Sequence, residues 1–400
     1  MRVRIEKLVY QGYGLARHNG KTLFVQRSAP GDLADVQIVE SKKSYDLARV
    51  ENLIETSPDR VDPPCLFFKQ GCGGCQWQHL QYQTQLKWKR NIFLEFLHRN
   101  HFAEPFPEIC VIASPEFHYR TRFQFHLTGS GEPALFREQS HDLVPVNYCW
   151  LLPEALNQVL HRLAGAPWLA GCDSFQIWLD DLGQVGLETT WPLEDAAMMA
   201  VRRDLPDLKI LHPRSKDRME YHVGNLRILV GTESFFQTNR FLNPTLSETV
   251  CRLAGGGGTL LDLYSGIGFF SLAASPRFAR VVGVEESRHA VEHALANARL
   301  NGTDNVTFWT GRVEQYVEKS REKFDCVLAD PPRAGLSKRT IRWILNHQPR
   351  HLIYVSCDPT TLVRDVQWLS ARYEARQFLL FDLFPQTFHF EVVAELLARV

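Results

Sequence analysis

The sequence has no apolar run long enough to cross a bilayer, and the residues after Met1 lack the apolar core of a signal peptide. No membrane partner is therefore expected, and the cytoplasm is the expected location. Charge bias is also missing, since Lys+Arg and Asp+Glu each total 45 in 400 residues. That excludes a general polyanion-binding coat but not a local basic groove. There is no internal repeat and no low-complexity tract; Gly255–Gly258 is only a flexible approach to a strand. Nine cysteines in a chain without an export signal do not suggest a disulfide framework. What remains, 44% apolar and 22% charged, is an ordinary globular composition, and its length calls for two or three domains.

Three regions follow. In residues 1–57, the alternating segments Val3–Ile5, Leu23–Val25, Val36–Val39 and Ala48–Ile54 are separated by turns such as Gly12-Tyr13-Gly14, which predicts a small antiparallel barrel. The stretch Gln11-Gly12-Tyr13-Gly14-Leu15-Ala16-Arg17, followed by Ala29-Pro30-Gly31-Asp32, resembles a TRAM domain, which implies an RNA-binding barrel. A barrel used only for protein contacts is the alternative. Residues 58–230 open with Cys65, Cys72 and Cys75 and continue into a helix over 81–99, where Leu86, Ile92, Phe93, Phe96 and Leu97 recur at helical spacing. In Tyr119-Arg120-Thr121-Arg122-Phe123-Gln124-Phe125 the phenylalanines suit the buried face of a sheet, while Arg120 and Arg122 suit RNA phosphate. Residues 231–400 alternate strands (Thr259–Tyr264, Val281–Val284, Val306–Phe308, Cys326–Leu328, Leu352–Val355) with helices near 287–300, 337–346 and 360–370. That pattern predicts a doubly wound, largely parallel sheet with its site at the strands' carboxyl ends, and the segment 391–400 is expected to return as an edge strand.

The turn Asp262-Leu263-Tyr264-Ser265-Gly266-Ile267-Gly268 and the strand-end acid of Val282-Gly283-Val284-Glu285 suit a nucleotide-type cofactor. The glycines admit the ligand, and the acid accepts hydrogen bonds from two ribose hydroxyls. Nicotinamide and S-adenosylmethionine (SAM) sites share both features. Asp330-Pro331-Pro332-Arg333 after the fourth strand separates them, because Asp-Pro-Pro there is typical of methyltransferases acting on nitrogen or carbon of planar substrates.

Ser234-Phe235-Phe236-Gln237-Thr238-Asn239, the glycine turn, Asp330-Pro331-Pro332-Arg333-Ala334-Gly335, Val355-Ser356-Cys357-Asp358-Pro359 and Thr387-Phe388-His389-Phe390-Glu391 occur in that order. The chain thereby resembles the RNA uracil-5 methyltransferases over essentially its whole length. Uracil C5 is too weak a nucleophile to take a methyl group unaided; a thiolate adding to C6 turns the ring into an enolate that can. The resemblance implies Cys357 as that nucleophile, Glu391 as the base that removes the C5 proton, and Asp330 as a carboxylate positioning the nucleophile and the substrate. It further implies that Gln237, Tyr264, Gly266, Gly268, Glu285 and Asp330 bind SAM. Phe269 follows the turn where many relatives carry a polar residue, and Arg312 lies where the family often lines the adenine pocket. The target uridine must leave its stack to be attacked; Phe236 and Phe388 are candidates to receive it, with core packing the alternative for each.

Cys65, Cys72, Gly73, Gly74 and Cys75, followed by Gln76-Trp77-Gln78-His79, resemble the iron–sulfur motif of the family's ribosomal RNA branch, with Cys149 as the implied fourth ligand of a [4Fe–4S] cluster. Six residues separate Cys65 from Cys72, one more than the ribosomal pattern. Zinc accepts the same four thiolates. The role expected is structural and RNA-contacting, since methyl transfer needs no electron. The C-x₃-C-x₂-C spacing of radical-SAM enzymes is absent. The expected whole is a multidomain α/β monomer: an OB-like TRAM barrel, a central α+β domain with the cysteine cluster, and a SAM-dependent methyltransferase domain. The expected product is 5-methyluridine in 23S ribosomal RNA. A transfer-RNA T-loop uridine and an inactive RNA-binding assembly factor are the alternatives.

Overall fold

The structure, a computed structural model, describes residues 1–169, 171–189, 194–212 and 217–399. The N-terminal strands curl into a six-stranded sheet around Val3, Ile5, Leu23, Val25, Val36 and Ala48. One broken strand closes it. Arg2–Arg4 pairs with one end of the sheet order, and Lys7–Leu8 pairs with the other. The Ala29–Asp32 turn is fixed by Asp32, which is fully buried and accepts from the Ala29 and Ser57 amides and from Arg60.

The central sheet runs, in spatial order, Leu143–Pro145, Pro133–Phe136, Arg122–Leu127, Ser174–Leu179, Val185–Thr189 and Lys209–Leu211. Phe123 and Phe125 lie on its buried face, as their alternation predicts; Phe125 stacks on Phe175 with ring centroids 5.6 Å apart. Leu156, Leu160 and Leu163 of the helix Glu154–Leu163 belong to the same core.

The C-terminal sheet has eight strands, ordered Val306–Thr310, Phe278–Glu285, Gly257–Leu263, Cys326–Ala329, His351–Ser356, Glu391–Ala398, Tyr373–Phe381 and Glu108–Ile112. The first five are mutually parallel, and Glu391–Ala398 is antiparallel to both its neighbours. Apolar side chains on both faces build two cores, as expected when helices cover both sides of a sheet. Two sequence expectations are corrected. The last strand is interior rather than an edge, because Tyr373–Phe381 and Glu108–Ile112 add beyond it, and Val400 lies outside the described residues. Glu108–Ile112, assigned by sequence to the central region, pairs in parallel with Tyr373–Phe381, and the helix Tyr82–Arg99 packs beside it through Ile92, Phe93 and Leu97. Among the described residues no helix is long and apolar enough to cross a membrane.

Candidate active site at the carboxyl edge of the sheet

Parallel strands deliver their last residues to one edge. Cys326–Ala329 leads to Asp330, His351–Ser356 to Cys357, and Gly257–Leu263 to Tyr264, while Phe278–Glu285 ends on Glu285. The reversed strand Glu391–Ala398 starts where its neighbours stop. Val392 pairs with Ser356, so Glu391 is placed beside Cys357. Strand polarity alone therefore unites a thiol and two carboxylates distant in sequence.

The electrostatics are those of a dry site. Glu391 is 3% exposed, and its carboxyl pKa is pushed well above the usual range, first by burial and then by Asp330. Asp330 is raised to about 7 by burial and by Asp262, itself buried and raised to about 7 mainly by desolvation. The Cys357 thiol is pushed up to about 11 by burial and then by the charges of Glu391 and Asp330, with Arg333 acting in the opposite sense. Asp358 caps the following helix Pro359–Leu369 by accepting from the Thr360 amide at 2.8 Å, which fixes the turn carrying Cys357. Burial keeps the resting thiol protonated, and the carboxyls of Asp330 and Glu391, both raised by burial, act on it from nearby.

The glycine turn is built for a ligand. Tyr264, Gly266 and Gly268 hold left-handed backbone at φ 65°, 53° and 83°. A side chain on Gly266 would meet open space, so close approach to its backbone is unobstructed. The Glu285 carboxylate accepts from the Gly266 amide at 3.0 Å and the Ser287 amide at 2.8 Å. Asp262 Oδ1 and Ser265 Oγ are buried without a partner. Orphaned polar atoms beside an open glycine turn fit a polar cofactor such as SAM. Gln237 is buried and its carbonyl accepts from Asn243 Nδ2 at 2.8 Å. Arg312 is exposed, 3.9 Å from Glu286.

The loop leading to Glu391 is held mainly by the earlier regions. Lys89 Nζ donates to Asp382 at 2.6 Å, Asn239 Nδ2 to the Leu383 carbonyl at 3.0 Å, and the Tyr119 hydroxyl to that of Pro385 at 3.1 Å. The Gln76 and Trp77 amides both donate to the Gln386 carbonyl, at 3.0 and 2.9 Å. From the barrel, Tyr10 packs edge-on against Phe388 with centroids 5.6 Å apart; burial and then the Asp358 charge raise its hydroxyl pKa. His389, its pKa lowered to about 4 by burial and Arg333, is neutral and lies 4.0 Å from the Phe388 ring.

Not every sequence candidate is an open RNA contact. Phe236 is 6% exposed and packs against Tyr221 and Phe269, whereas its neighbour Phe235 is 72% exposed. Arg122 is a structural tie: it lies over Trp178 at 3.7 Å and donates to Gln176 and to the Ser234 and Thr232 carbonyls. For Phe236 the core-packing alternative holds, and for Arg122 the RNA expectation is corrected by its packing on Trp178 and its bonds to the Thr232 and Ser234 carbonyls. Arg120 is half-buried over Phe123 and donates to the Arg122 carbonyl, and Phe388 is half-buried beside the site. Sequence reasoning assigned no role to Asp262, although it lies in the glycine turn. It also missed Tyr10, for which the barrel sequence carries no signal.

Cys65, Cys72, Cys75 and Cys149 line one pocket beneath Phe67, Phe68 and Trp150. Burial raises the thiols of Cys72, Cys75 and Cys149, the last to about 12, and nearby cysteines in the set add to each rise. Among the described residues no group of three ligating side chains converges tightly enough to hold a single metal ion.

A family model described as tRNA (Uracil-5-)-methyltransferase matches residues 219–399, and a TRAM domain model matches residues 1–50. An uncharacterized RNA methyltransferase of Thermotoga maritima is 30% identical, with 98% of each chain covered. The 23S rRNA (uracil(1939)-C(5))-methyltransferase RlmD of Shewanella amazonensis is 31% identical over 98% of this chain and 94% of its own. Among solved structures, the Pyrococcus abyssi tRNA (uracil-54, C5)-methyltransferase in complex with S-adenosyl-L-homocysteine superposes with a TM-score of 0.80 at 26% identity, covering 99% of this chain and 100% of that one.

Proposed function

The chain belongs to the SAM-dependent RNA uracil-5 methyltransferase family, and on that premise we propose that it methylates C5 of a uridine in 23S ribosomal RNA through a covalent bond from Cys357 to C6. The observation that carries this reading is the register that sets Glu391 beside Cys357, with Asp330 at the same strand edge.

The proton of the Cys357 thiol passes to the acid cluster, where Asp330 at about 7 is the acceptor nearest neutrality. Sulfur then bonds to C6, and the C5–C6 π electrons move toward O4 as an enolate. SAM supplies the electrophilic methyl group, which C5 takes as the bond to the sulfonium sulfur breaks. Glu391, once its own raised carboxyl has lost its proton to solvent, takes the C5 proton as a carboxylate; the C–H electrons restore the C5–C6 double bond and the C6–S bond breaks, releasing Cys357. Gln237, Tyr264, Gly266, Gly268, Glu285 and Asp330 are the proposed SAM contacts, and Arg120 and Phe388 the RNA contacts retained from the sequence.

A [4Fe–4S] cluster is proposed on Cys65, Cys72, Cys75 and Cys149. The support is an all-sulfur donor set around one pocket together with the resemblance of the cysteine motif. It would tie the loop carrying Gln76 and Trp77 to the central sheet. Anaerobic reconstitution should give about four iron and four sulfide per chain, and Cys75→Ser should lose them.

A transfer-RNA T-loop uridine remains a second reading, favoured by the full-length likeness to the Pyrococcus enzyme. That likeness also means that barrel and central region alone do not separate the two substrates; the ribosomal assignment leans on the 31% identical relative. The test is to supply labelled SAM with unmodified 23S and transfer-RNA transcripts and digest each to nucleosides. Label in 5-methyluridine from the ribosomal transcript alone supports the proposal. Label from the transfer RNA overturns the substrate, and label from neither favours the inactive RNA-binding protein.

A further inference from the structure

A cavity of about 390 Å³ lies between all three regions of the chain and the loop that leads to Glu391. Resting on the function proposed above, we infer that it binds a second nucleotide of the substrate RNA: an unpaired neighbour of the target uridine whose base carries an exocyclic amino group.

The volume falls within the range of roughly 300–1,000 Å³ usual for small-ligand sites. Its walls have the chemistry of base recognition. Gln11 of the barrel, Gln76 of the cysteine loop and Gln139 of the central hairpin bring three side-chain amides; Phe136 and Phe388 bring two rings; Arg137 brings a cation. Amides read base edges, rings stack on bases and guanidinium pairs with phosphate, which together is how proteins take unpaired RNA.

Two observations go beyond composition. Gln76 Nε2 is used, donating to the Gly73 carbonyl at 2.8 Å, but Gln76 Oε1 is buried with no partner. A buried lone acceptor calls for an N–H donor, and an exocyclic amine supplies one where uracil would present a carbonyl. Gln11 and Gln139 hold left-handed backbone at φ 74° and 55°, which is uncommon for non-glycine residues. The approach of the walls is also enforced, since a side chain on Gly73 would meet the Glu138 backbone at 2.9 Å.

Phe388 gives the cavity its place in the reaction. It lines the cavity and precedes Glu391 by three residues, so a strand whose uridine reaches Cys357 runs past this opening. The neighbouring base then reports sequence context, a task that a pocket for uracil alone cannot perform.

The test uses Gln11→Gly combined with Gln139→Gly. Both positions have positive φ, so glycine removes the amides while relaxing the backbone. With whichever transcript the wild type methylates, the variant should raise KM for RNA about tenfold, the scale of two lost hydrogen bonds, while KM for SAM stays unchanged. Transcripts with each neighbour of the target replaced by uridine complete the cycle. One replacement should weaken the wild type and the double variant by a similar factor, since both keep Gln76 Oε1, and should cost a Gln76→Met variant little. Unchanged KM for RNA in the double variant, or a replacement cost undiminished in Gln76→Met, would overturn the second-nucleotide site while leaving the methyltransferase reading intact. If the wild type forms 5-methyluridine in neither transcript, that reading falls and this one with it.

Discussion

Gln85 and Gln386 are 301 residues apart and hold each other by two hydrogen bonds: Gln85 Nε2 donates to Gln386 Oε1 at 2.9 Å, and the Gln386 amide donates to Gln85 Oε1 at 3.0 Å. Gln386 is also left-handed, at φ 68°. Such a backbone persists only when its surroundings over-determine it. The helix Tyr82–Arg99 thus fixes the loop that aims Glu391. Gln85→Leu should free that loop and lower kcat roughly 100-fold, the cost of a displacement near 1 Å. Single-turnover methylation with SAM affinity measured in parallel checks this; equal losses in both would place Gln85 in SAM binding instead.

Lys89 and Asp382 form an ion pair with both side chains fully buried. Burial alone pushes the lysine pKa down and the aspartate pKa up. Breaking such a pair leaves one uncompensated charge, at about 3–5 kcal/mol, whereas replacing both partners by apolar groups can be close to neutral. Lys89→Met should therefore be strongly destabilised in urea unfolding, and Lys89→Met with Asp382→Leu should recover most of the loss. A double variant no more stable than the single one would show that the loop needs the charge itself.

The acids of the site predict a pH dependence. Asp262 and Asp330 have pKa values raised from the ordinary 3.8 to about 7. Between those values the folded protein holds protons that the unfolded chain releases, so their contribution to stability falls as pH rises through that window. SAM brings a sulfonium cation, which favours the ionised carboxylates. Its binding should therefore release protons near pH 7 and tighten as pH rises through that value. Calorimetry in buffers of different ionisation enthalpy measures the release, and Asp262→Asn should reduce it. No buffer dependence would mean that the carboxylates are already ionised in the free protein.

Much of the fold around the proposed site was legible, because each proposed reactive residue lies at one end of a short apolar strand, where local pattern and motif coincide. The helix expected near 287–300 spans Arg288–Leu300, and the strand before Cys357 is His351–Ser356. What failed was long-range. Nothing in Glu108–Ile112 announces a partner at Tyr373–Phe381, because pairing of distant strands leaves no periodic trace. Arg122 looked like an RNA contact because its own strand alternates basic and aromatic residues. The Trp178 beneath it comes from the adjacent strand, Ser174–Leu179, which the local pattern cannot place. The anchors of Gln386 were hidden for the same reason.

The covalent step can be isolated at its two ends. Cys357→Ala removes the atom that bonds C6, so it should abolish methyl transfer while SAM still binds, since the proposed SAM contacts lie on other strands. Glu391→Gln keeps the size of a side chain that is 3% exposed but removes its basicity. Addition and methyl transfer should proceed in this variant, and elimination should stall, because no group remains in place to take the C5 proton. The product is then a methylated RNA joined to Cys357, which should survive denaturing electrophoresis and carry label from SAM. Label in the adduct fixes the order, since a stall before methyl transfer would give an unlabelled one. Absence of any adduct, with free 5-methyluridine still forming, would move the base away from Glu391 and leave Asp330, already near neutrality, as the group to test next.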